Sequence, residues 1–192
     1  VYRSPTFYSS ELFLLVDGQL QKLDKPEDAN LSAFREWMYL ELRSDWTVAG
    51  QTYTAGSLLA IELDEFLAGG RAFDVLFTPG PRTSLAGFAV TKKYVVLATL
   101  DNVRSRLELL KPTRKVWTRQ AFPGLPEFGS VNAWAVDAER SDEVFLTITD
   151  YITPTTLQHM RLGKGQPKTL KQLPAFFDAT GLSISQHEAT SE

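Results

Sequence analysis

The chain has 192 residues, of which 43% are hydrophobic and 22% charged, so it can bury one substantial core and disorder is excluded as its main state. Its 20 basic and 23 acidic residues are spread along the chain, and the net charge of -3 leaves no basic face for nucleic acid. The absence of cysteine excludes disulfides, thiolate zinc sites and a cysteine nucleophile.

The apolar stretches are short. The longest, residues 12–16 and 94–100, fall below the roughly 20 residues that a membrane-spanning helix needs, so no membrane partner is expected. Because the first residue is Val1 and no basic-then-apolar leader follows it, we expect the natural start and any export signal to lie upstream. The composition fits a cytoplasm and a periplasm equally, and the localisation stays open.

Strand-like runs, rich in β-branched and aromatic residues and separated by Gly, Pro, Asp and Asn, predict an all-β protein built from hairpins. The first hairpin joins residues 12–16 and 19–23 through Asp17-Gly18, a dipeptide that suits a tight turn. One helical turn is predicted at residues 64–69 and another at 173–178, and residues 163–167 are predicted as a loop. The remaining predicted strands are residues 38–43, 57–63, 72–77, 87–90, 94–100, 106–110, 115–118, 132–136, 143–149, 155–162 and 168–172.

The predicted strands between residues 87 and 118 form one set of four, and those between 132 and 172 form another. Repeated four-stranded meanders are typical of propeller blades. At about 40 to 50 residues a blade, the chain holds about three to four, whereas closed propellers have about four to eight. We therefore predict that residues 1–192 are a single partial β-propeller of four-stranded antiparallel blades. A β-sandwich with the same strand count is the alternative.

Several segments carry a family resemblance that extends from about residue 20 to the last residue. They are Lys22-Leu23-Asp24-Lys25-Pro26-Glu27-Asp28-Ala29, Leu42-Arg43-Ser44-Asp45-Trp46, Tyr53-Thr54-Ala55-Gly56-Ser57-Leu58, Phe77-Thr78-Pro79, residues 95–101, Thr149-Asp150-Tyr151-Ile152-Thr153-Pro154 with Leu157, Phe177-Asp178-Ala179 and Gln186-His187-Glu188-Ala189-Thr190-Ser191. In order and spacing, they resemble the propeller domain of prolyl oligopeptidases and the related oligopeptidase B group.

The resemblance implies a parent serine peptidase whose propeller covers the active site and admits short peptides, which the parent cleaves after proline or basic residues. The last segments resemble the exit from the propeller, so the α/β-hydrolase domain is expected to begin after Glu192. That missing domain is the implied partner. It would carry the catalytic serine, aspartate and histidine, and no catalytic residue is placed in this chain.

The residues themselves offer no complete catalytic or cofactor site. A nucleophile elbow is spelled Gly-x-Ser-x-Gly, and both Gly129-Ser130 and Gly181-Leu182-Ser183 lack its second glycine. His159 and His187 are far apart in sequence and have no short-range partner for catalysis or zinc. We therefore assign no catalytic, cofactor-binding or metal-binding residue.

Two further motifs are weak. Asp137, Glu139, Asp142 and Glu143 are close together but lack calcium-loop spacing, and a solvated hairpin turn is the favoured interpretation. Gly163-Lys164-Gly165 lacks the earlier glycine of a phosphate loop, because Gln158 stands at that position.

Basic and aromatic residues are interpreted as structural. Lys111, Arg114 and Lys115 form one basic cluster, Arg161, Lys164, Lys168 and Lys171 form another, and both are expected on solvated strand edges. Trp37, Trp46, Trp117 and Trp134 are expected to pack in the core.

Three hypotheses of different classes follow. The first is a non-catalytic gating and scaffold domain of a serine peptidase, and the second is a free-standing β-sheet module that binds carbohydrate or protein. The third and weakest is a small enzyme with an unfamiliar carboxylate pair. Because an incomplete ring exposes strand edges and apolar blade faces, we also expect the isolated chain to form a homo-oligomer.

Overall fold

The computed structural model of the chain describes residues 1–113 and 116–189, and its regular secondary structure is almost entirely β-strand. It divides into two compact units, Val1–Leu85 and Ala86–Glu192. The helix in the described ranges is α1 (Leu63–Leu67), which overlaps the helical turn predicted at residues 64–69 and begins one residue before it. No helix of these ranges combines the length and the apolar character needed to cross a membrane.

The first unit contains the strands β1 (Tyr2–Thr6), β2 (Ser9–Val16), β3 (Gln19–Lys22), β4 (Asn30–Phe34), β5 (Trp37–Glu41), β6 (Trp46–Val48), β7 (Gln51–Tyr53), β8 (Leu58–Glu62) and β9 (Asp74–Phe77). They form a three-stranded sheet, a four-stranded sheet and a separate hairpin, in the orders β1-β2-β3, β4-β5-β8-β9 and β6-β7. The hairpin predicted at Asp17-Gly18 is confirmed, because both residues have positive φ angles (48° and 79°) between β2 and β3.

The core of the first unit follows from alternation along β5 and β8. Met38 pairs with Ile61 and Leu40 with Leu59, and all four side chains are buried on one face of the sheet. Since successive side chains of a strand point to opposite faces, two such pairs build one continuous apolar layer. Phe66 of α1 belongs to the same cluster.

Lys25 anchors the segment that follows β3. Its ammonium group donates to the main-chain oxygens of Ser10 (2.8 Å), Pro26 (2.9 Å) and Ala29 (2.9 Å). Burial lowers the pKa of this amine, while the nearby Asp28 carboxylate acts in the opposite direction. The segment that resembles the closing stretch of a blade is thus folded around one cation and joined to β2.

The second unit contains two four-stranded antiparallel sheets, each with its strands side by side in chain order. This confirms the two predicted sets of four and the propeller-like fold, because a β-sandwich joins its two sheets by Greek-key connections. The strands are β10 (Thr83–Val90), β11 (Val95–Asp101), β12 (Arg104–Pro112), β13 (Trp117–Ala121), β14 (Ser130–Ala135), β15 (Glu143–Thr149), β16 (Thr156–Arg161) and β17 (Lys164–Gln172). The unit boundary falls inside β10.

The two sheets of the second unit share an apolar core. Leu107 and Leu109 of β12 belong to the same buried cluster as Val144, Leu146 and Ile148 of β15. The β15 residues are alternate positions of their strand, so the opposite face of that sheet carries Glu143, Phe145 and Thr147 and is only partly covered.

A polar contact joins the turns at one end of this core. One carboxylate oxygen of Asp142, the last residue of the β14–β15 connection, accepts hydrogen bonds from Thr91 Oγ1 (3.0 Å) and from the main-chain N–H of Lys93 (2.7 Å). Thr91 is buried. The β10–β11 turn is therefore fastened to the neighbouring sheet by a charge-assisted contact.

The loop predicted at residues 163–167 is wrong. The chain turns at Leu162 and Gly163, and β17 begins at Lys164. The register shifts between the pairs His159–Lys168 and Arg161–Lys164, so β17 carries extra residues in a bulge. The bulge accommodates Gly165 and Pro167, the residues that had indicated a loop.

The helical turn predicted at residues 173–178 is also wrong, because this segment is irregular. Pro174 disfavours the helical conformation at the residue before it, and Leu173 leaves β17 in a non-helical conformation. Four strands of the first unit, β1, β4, β6 and β7, had no counterpart in the prediction. β6 and β7 have only three residues each, and β1 and β4 are largely exposed, so none of the four has a long apolar alternation.

Candidate functional site

A cavity of about 400 Å³ opens at the end of the second unit where β11 turns into β12 and where β15 ends. Its walls come from four segments: the β11–β12 turn, the residues before β14, the connection after β15 and the tail after β17. They contribute Val103, Arg104, Phe128, Gly129, Ser130, Thr149, Asp150, Tyr151, Ile184, Ser185 and Gln186. This volume lies in the range of small-molecule and peptide sites.

The β11–β12 turn contains an unusual residue at the cavity wall. Asn102 and Val103 both have positive φ angles, 49° and 63°, between the paired residues Asp101 and Arg104. Two-residue hairpin turns of this kind favour Asn followed by Gly, and a β-branched residue at positive φ is strained. Val103 is nevertheless 80% exposed, so its side chain gains little from burial.

Arg104 is held rigidly beside the cavity. Its guanidinium carbon lies 4.4 Å from the centre of the Phe128 ring, a cation–π distance. Its Nε donates to the Gln186 side-chain oxygen (2.7 Å), and its Nη1 lies 3.1 Å from a Glu127 oxygen. Within residues 1–113 and 116–189, Nη2 has no hydrogen-bond acceptor, and this edge of the guanidinium is left for a ligand.

The wall after β15 is a fixed turn. One carboxylate oxygen of Asp150 accepts the main-chain N–H groups of Ile152 (2.9 Å) and Thr153 (2.5 Å). Gly129 comes so close to this turn that an added Cβ would lie 2.6 Å from the Thr149 main-chain oxygen. These contacts hold the chain rigid around Tyr151, whose side chain is 84% exposed.

The tail after β17 closes the remaining side of the cavity. The Gln186 side-chain amide donates to the Asn102 main-chain oxygen (2.8 Å), and Glu188 accepts from the Asn102 side chain (2.8 Å). Asp178 begins a turn earlier in the tail, and hydrogen bonds from Thr180 lower the pKa of its carboxyl group. The segment predicted from resemblance as the propeller exit thus lies along the second unit as far as residue 189. Thr190, Ser191 and Glu192 lie outside the described residues.

Ser185 and His187 form a contact that the sequence did not predict. Ser185 Oγ lies 2.9 Å from His187 Nε2, and both residues are exposed. No carboxylate of the described residues is bonded to the imidazole ring. The pair therefore has the first two groups of a triad without the acid that orients the histidine.

The other residues considered from the sequence are not assembled into a site. Ser130 lines the cavity, whereas Ser183 is exposed in the tail. His159 lies on β16, with its ring 5.7 Å from that of Phe145 and its Nε2 4.0 Å from Glu143. In the described part of the chain, no three His, Asp or Glu side chains meet as they would around a metal ion.

The four acidic residues after β14 do not form one cluster in the structure. Asp137 accepts main-chain N–H groups of Glu139 and Arg140, each at 3.1 Å, as expected for a hairpin turn. Asp142 instead reaches across to Thr91. Gly163-Lys164-Gly165 forms the turn and first residues of β17, and this places its lysine on an exposed strand rather than in a loop around phosphate.

The basic clusters are exposed where they are described. Arg161, Lys164, Lys168 and Lys171 lie on β16 and β17 with exposed side chains, as expected. Lys111 is exposed as well, while Arg114 and Lys115 lie outside the described residues.

The tryptophans differ from one another. Trp46 packs against the first core, with its ring 5.2 Å from that of Phe73. Trp37 and Trp117 are half-buried. Trp134 is 42% exposed and stacks on Phe145 at 5.9 Å, so its predicted burial in the core is wrong. Trp134 lies on the face of its sheet that is turned away from the core. Alternation shows that neighbouring residues point to opposite faces, but it does not show which face is buried.

Comparisons with known proteins agree with this architecture. The family described as the prolyl oligopeptidase N-terminal β-propeller domain matches residues 71–173. An uncharacterized peptidase of Rickettsia prowazekii, RP174, is 29% identical over 96% of this chain and 26% of its own length. Another, y4nA of Sinorhizobium fredii, is 31% identical over 100% of this chain and 27% of its own length.

The solved structure of a post-proline cleaving enzyme from Rickettsia typhi is also similar. It superposes with a TM-score of 0.81 and 27% identity, over 96% of this chain and 28% of the enzyme. The chain thus spans about a quarter of the length of each of these proteins.

Proposed function

This chain belongs to the prolyl oligopeptidase family, as part of its N-terminal β-propeller domain, and we propose that it is the non-catalytic gating and scaffold portion of a serine-type endopeptidase. The observation that carries the proposal is the pair of consecutive four-stranded sheets in the second unit, which lie within the matched residues 71–173. The relatives are peptidases about four times as long as the matched region. In the proposed parent, residues 1–192 form one part of the propeller, and an α/β-hydrolase domain follows them.

The proposed gating role follows from the close packing of β-sheets, which leaves no wide passage between them. Close-packed blades form a wall that a folded protein cannot cross, whereas a short peptide passes through a narrow opening. The rigid turns at Asp142 and Asp150 support such a wall, because each is fixed by two hydrogen bonds to one carboxylate oxygen. The proposed substrates are therefore short peptides.

The first experiment is to measure the mass of the native product in its source cells with an antibody against this chain. A band several times heavier than 21.5 kDa supports a portion of a larger peptidase. A band at 21.5 kDa contradicts it.

A second experiment tests gating directly. In the full-length protein, Asp142→Ala should loosen the two sheets and raise the ratio of kcat/KM for a long peptide to that for a short one several-fold. Asp101→Ala, which removes an exposed carboxylate, is the matched control. An unchanged ratio in a demonstrably loosened D142A protein would contradict gating by this region.

One observation favours a second candidate, a free-standing module that binds carbohydrate or protein. Trp134, Phe145 and His159 form a row of rings on three adjacent strands, on the partly exposed face of one sheet. Aromatic faces of this kind stack on sugars and on apolar protein surfaces. The native mass separates this candidate from the first, since it requires a short product.

A further inference from the structure

We propose that the cavity beside Arg104 binds a neutral stretch of peptide, with an apolar side chain against Phe128 and Ile184 and a main-chain carbonyl on Arg104 Nη2. This rests on the proposed function, because it names a substrate-binding site on the propeller. The cavity is formed within the second unit alone.

The guanidinium of Arg104 is prepared to donate. Phe128 stacks on its plane at 4.4 Å, and Gln186 and Glu127 occupy Nε and Nη1. The side chain is 28% exposed, so its position is fixed before a ligand arrives. Because a fixed donor loses little rotational freedom on binding, the hydrogen bond to a carbonyl is stronger than one from a mobile lysine.

The charges around the cavity select a neutral ligand. Glu127 already pairs with Arg104, and the carboxylates of Asp150 and Glu188 lie on or beside the walls. A carboxylate on the ligand would therefore be repelled, because the cavity holds more negative than positive charge. A main-chain carbonyl satisfies Nη2 without that repulsion.

The form of the site fits an extended peptide. A second cavity, of about 210 Å³, shares Thr149, Asp150 and Tyr151 with the first and is lined also by Phe176 and Phe177. Both phenylalanines are exposed, at 85% and 54%. Tyr151 therefore stands between two apolar hollows, an arrangement that suits successive side chains of one peptide better than one compact molecule.

The walls are formed in the absence of ligand. Gly129 and the Asp150 turn fix one side, and Gln186 fixes the other by its contacts with Asn102 and Arg104. Binding then orders little of the protein. A blocked tripeptide makes only a few contacts, however, so we expect a weak affinity of about 10⁻⁴ to 10⁻³ M.

The test is a titration of the isotope-labelled chain with acetyl-Gly-Leu-Gly-amide, followed by NMR. We expect saturable shifts of the Gly129 and Tyr151 main-chain amides and of the Arg104 Nε–H signal. Acetyl-Gly-Asp-Gly-amide and acetyl-Gly-Leu-Gly with a free carboxylate should each bind about tenfold more weakly.

Two variants, Arg104→Lys and Tyr151→Ala, test whether the peptide binds in this cavity. Arg104→Lys keeps the charge but loses the planar donor edge, and it should weaken the leucine peptide about tenfold. Arg119→Lys is the matched control, because Arg119 is also paired with a glutamate, Glu108 at 3.0 Å, and lies outside the cavity. Tyr151→Ala, at an exposed position that cannot disturb a core, should weaken it as well.

The inference is overturned if the leucine peptide leaves the Gly129 and Tyr151 signals unchanged, if it binds no better than the aspartate peptide, or if R119K weakens binding as much as R104K. The native mass and the selectivity for peptide length do not depend on this cavity. If they hold and the titration fails, the gating function stands and only the binding site is wrong.

Discussion

At the scale of single residues, Asp142 places one carboxylate oxygen within hydrogen-bonding distance of both Thr91 Oγ1 and the Lys93 N–H. Its sequence context, among Asp137, Glu139 and Glu143, is that of a solvated turn. The contact with Thr91 spans 51 positions of the chain, so no local pattern indicates it. Asp142 takes part in a stabilising contact only because the two sheets pack close together.

Asp142→Ala should lower the free energy of unfolding by about 1–3 kcal/mol, because the buried Thr91 hydroxyl and the Lys93 N–H lose a charged acceptor. Asp142→Asn keeps an oxygen acceptor and should cost less. Urea unfolding measures both, and Asp101→Ala is the control. Equal stability of D142A and D101A would show that the contact contributes nothing.

Because of Tyr39, we expect the free energy of unfolding to depend on pH in the alkaline range. Burial, helped by the nearby Glu36 carboxylate, raises the pKa of its hydroxyl above the ordinary value of 10.0. The folded chain then holds this proton more tightly than the unfolded chain does. The resulting stability is fully present below about pH 10 and is lost as the pH rises above it.

Tyr39→Phe should therefore lose less of its free energy of unfolding between pH 9 and 11 than the unchanged chain loses. Denaturant unfolding at several pH values gives the two slopes. Tyr151→Phe, at an exposed tyrosine, should keep the original slope. A slope unaltered by Y39F would assign the alkaline loss to other groups.

At the scale of elements, the turn between β16 and β17 depends on Gly163. Its φ angle is +72°, and an added Cβ would lie 2.6 Å from the hydroxyl oxygen of Tyr94. Gly165 has a similar φ of +76° but nothing within 4 Å of such a Cβ. An alanine at residue 165 would therefore suffer only backbone strain, whereas an alanine at residue 163 would suffer backbone strain and a steric clash with Tyr94.

Gly163→Ala should destabilise the chain by about 1 kcal/mol more than Gly165→Ala, which carries only the left-handed backbone cost of about 1–2 kcal/mol. Combining G163A with Tyr94→Phe should restore most of the difference, because the atom that the methyl group meets is removed. Thermal unfolding of the three variants measures both effects. Equal losses for the two alanines would contradict the close approach.

At the scale of the whole molecule, one sheet face remains partly uncovered. Trp134, Phe145, His159 and Lys168 are directly paired across β14, β15, β16 and β17, on the side opposite the core. Trp134 is 42% exposed there. An exposed aromatic row of this kind favours association, and we expect the isolated chain to form its homo-oligomer through this face.

Trp134→Lys should shift the isolated chain towards the monomer mass of 21.5 kDa in sedimentation equilibrium, because a charge replaces the most exposed ring of the aromatic row. Leu20→Lys, at a residue 54% exposed in the first unit, should leave the association unchanged. A chain that is already monomeric before any substitution would contradict the expectation of a homo-oligomer.

Strands that have strong alternation or turn chemistry could be predicted from the amino-acid sequence. The Asp17-Gly18 hairpin, β15 and the two sets of four strands were predictable, because side-chain period and positive-φ residues are local properties. The short or exposed strands β1, β4, β6 and β7 were not predictable, since their pairing depends on neighbours rather than on their own residues. The same holds for the bulged start of β17.

The cavity was decided by tertiary structure alone. Asp150 stood out only through the family resemblance, and nothing in the sequence joins it to Arg104, Phe128 and Gln186. Arg104 and Gln186 are 82 positions apart, yet they share a hydrogen bond of 2.7 Å. Periodicity states which side chains share a face of one strand, but which loops meet depends on how whole sheets pack. The residues that form the site therefore become neighbours only after the sheets have paired and the tail has folded back across them.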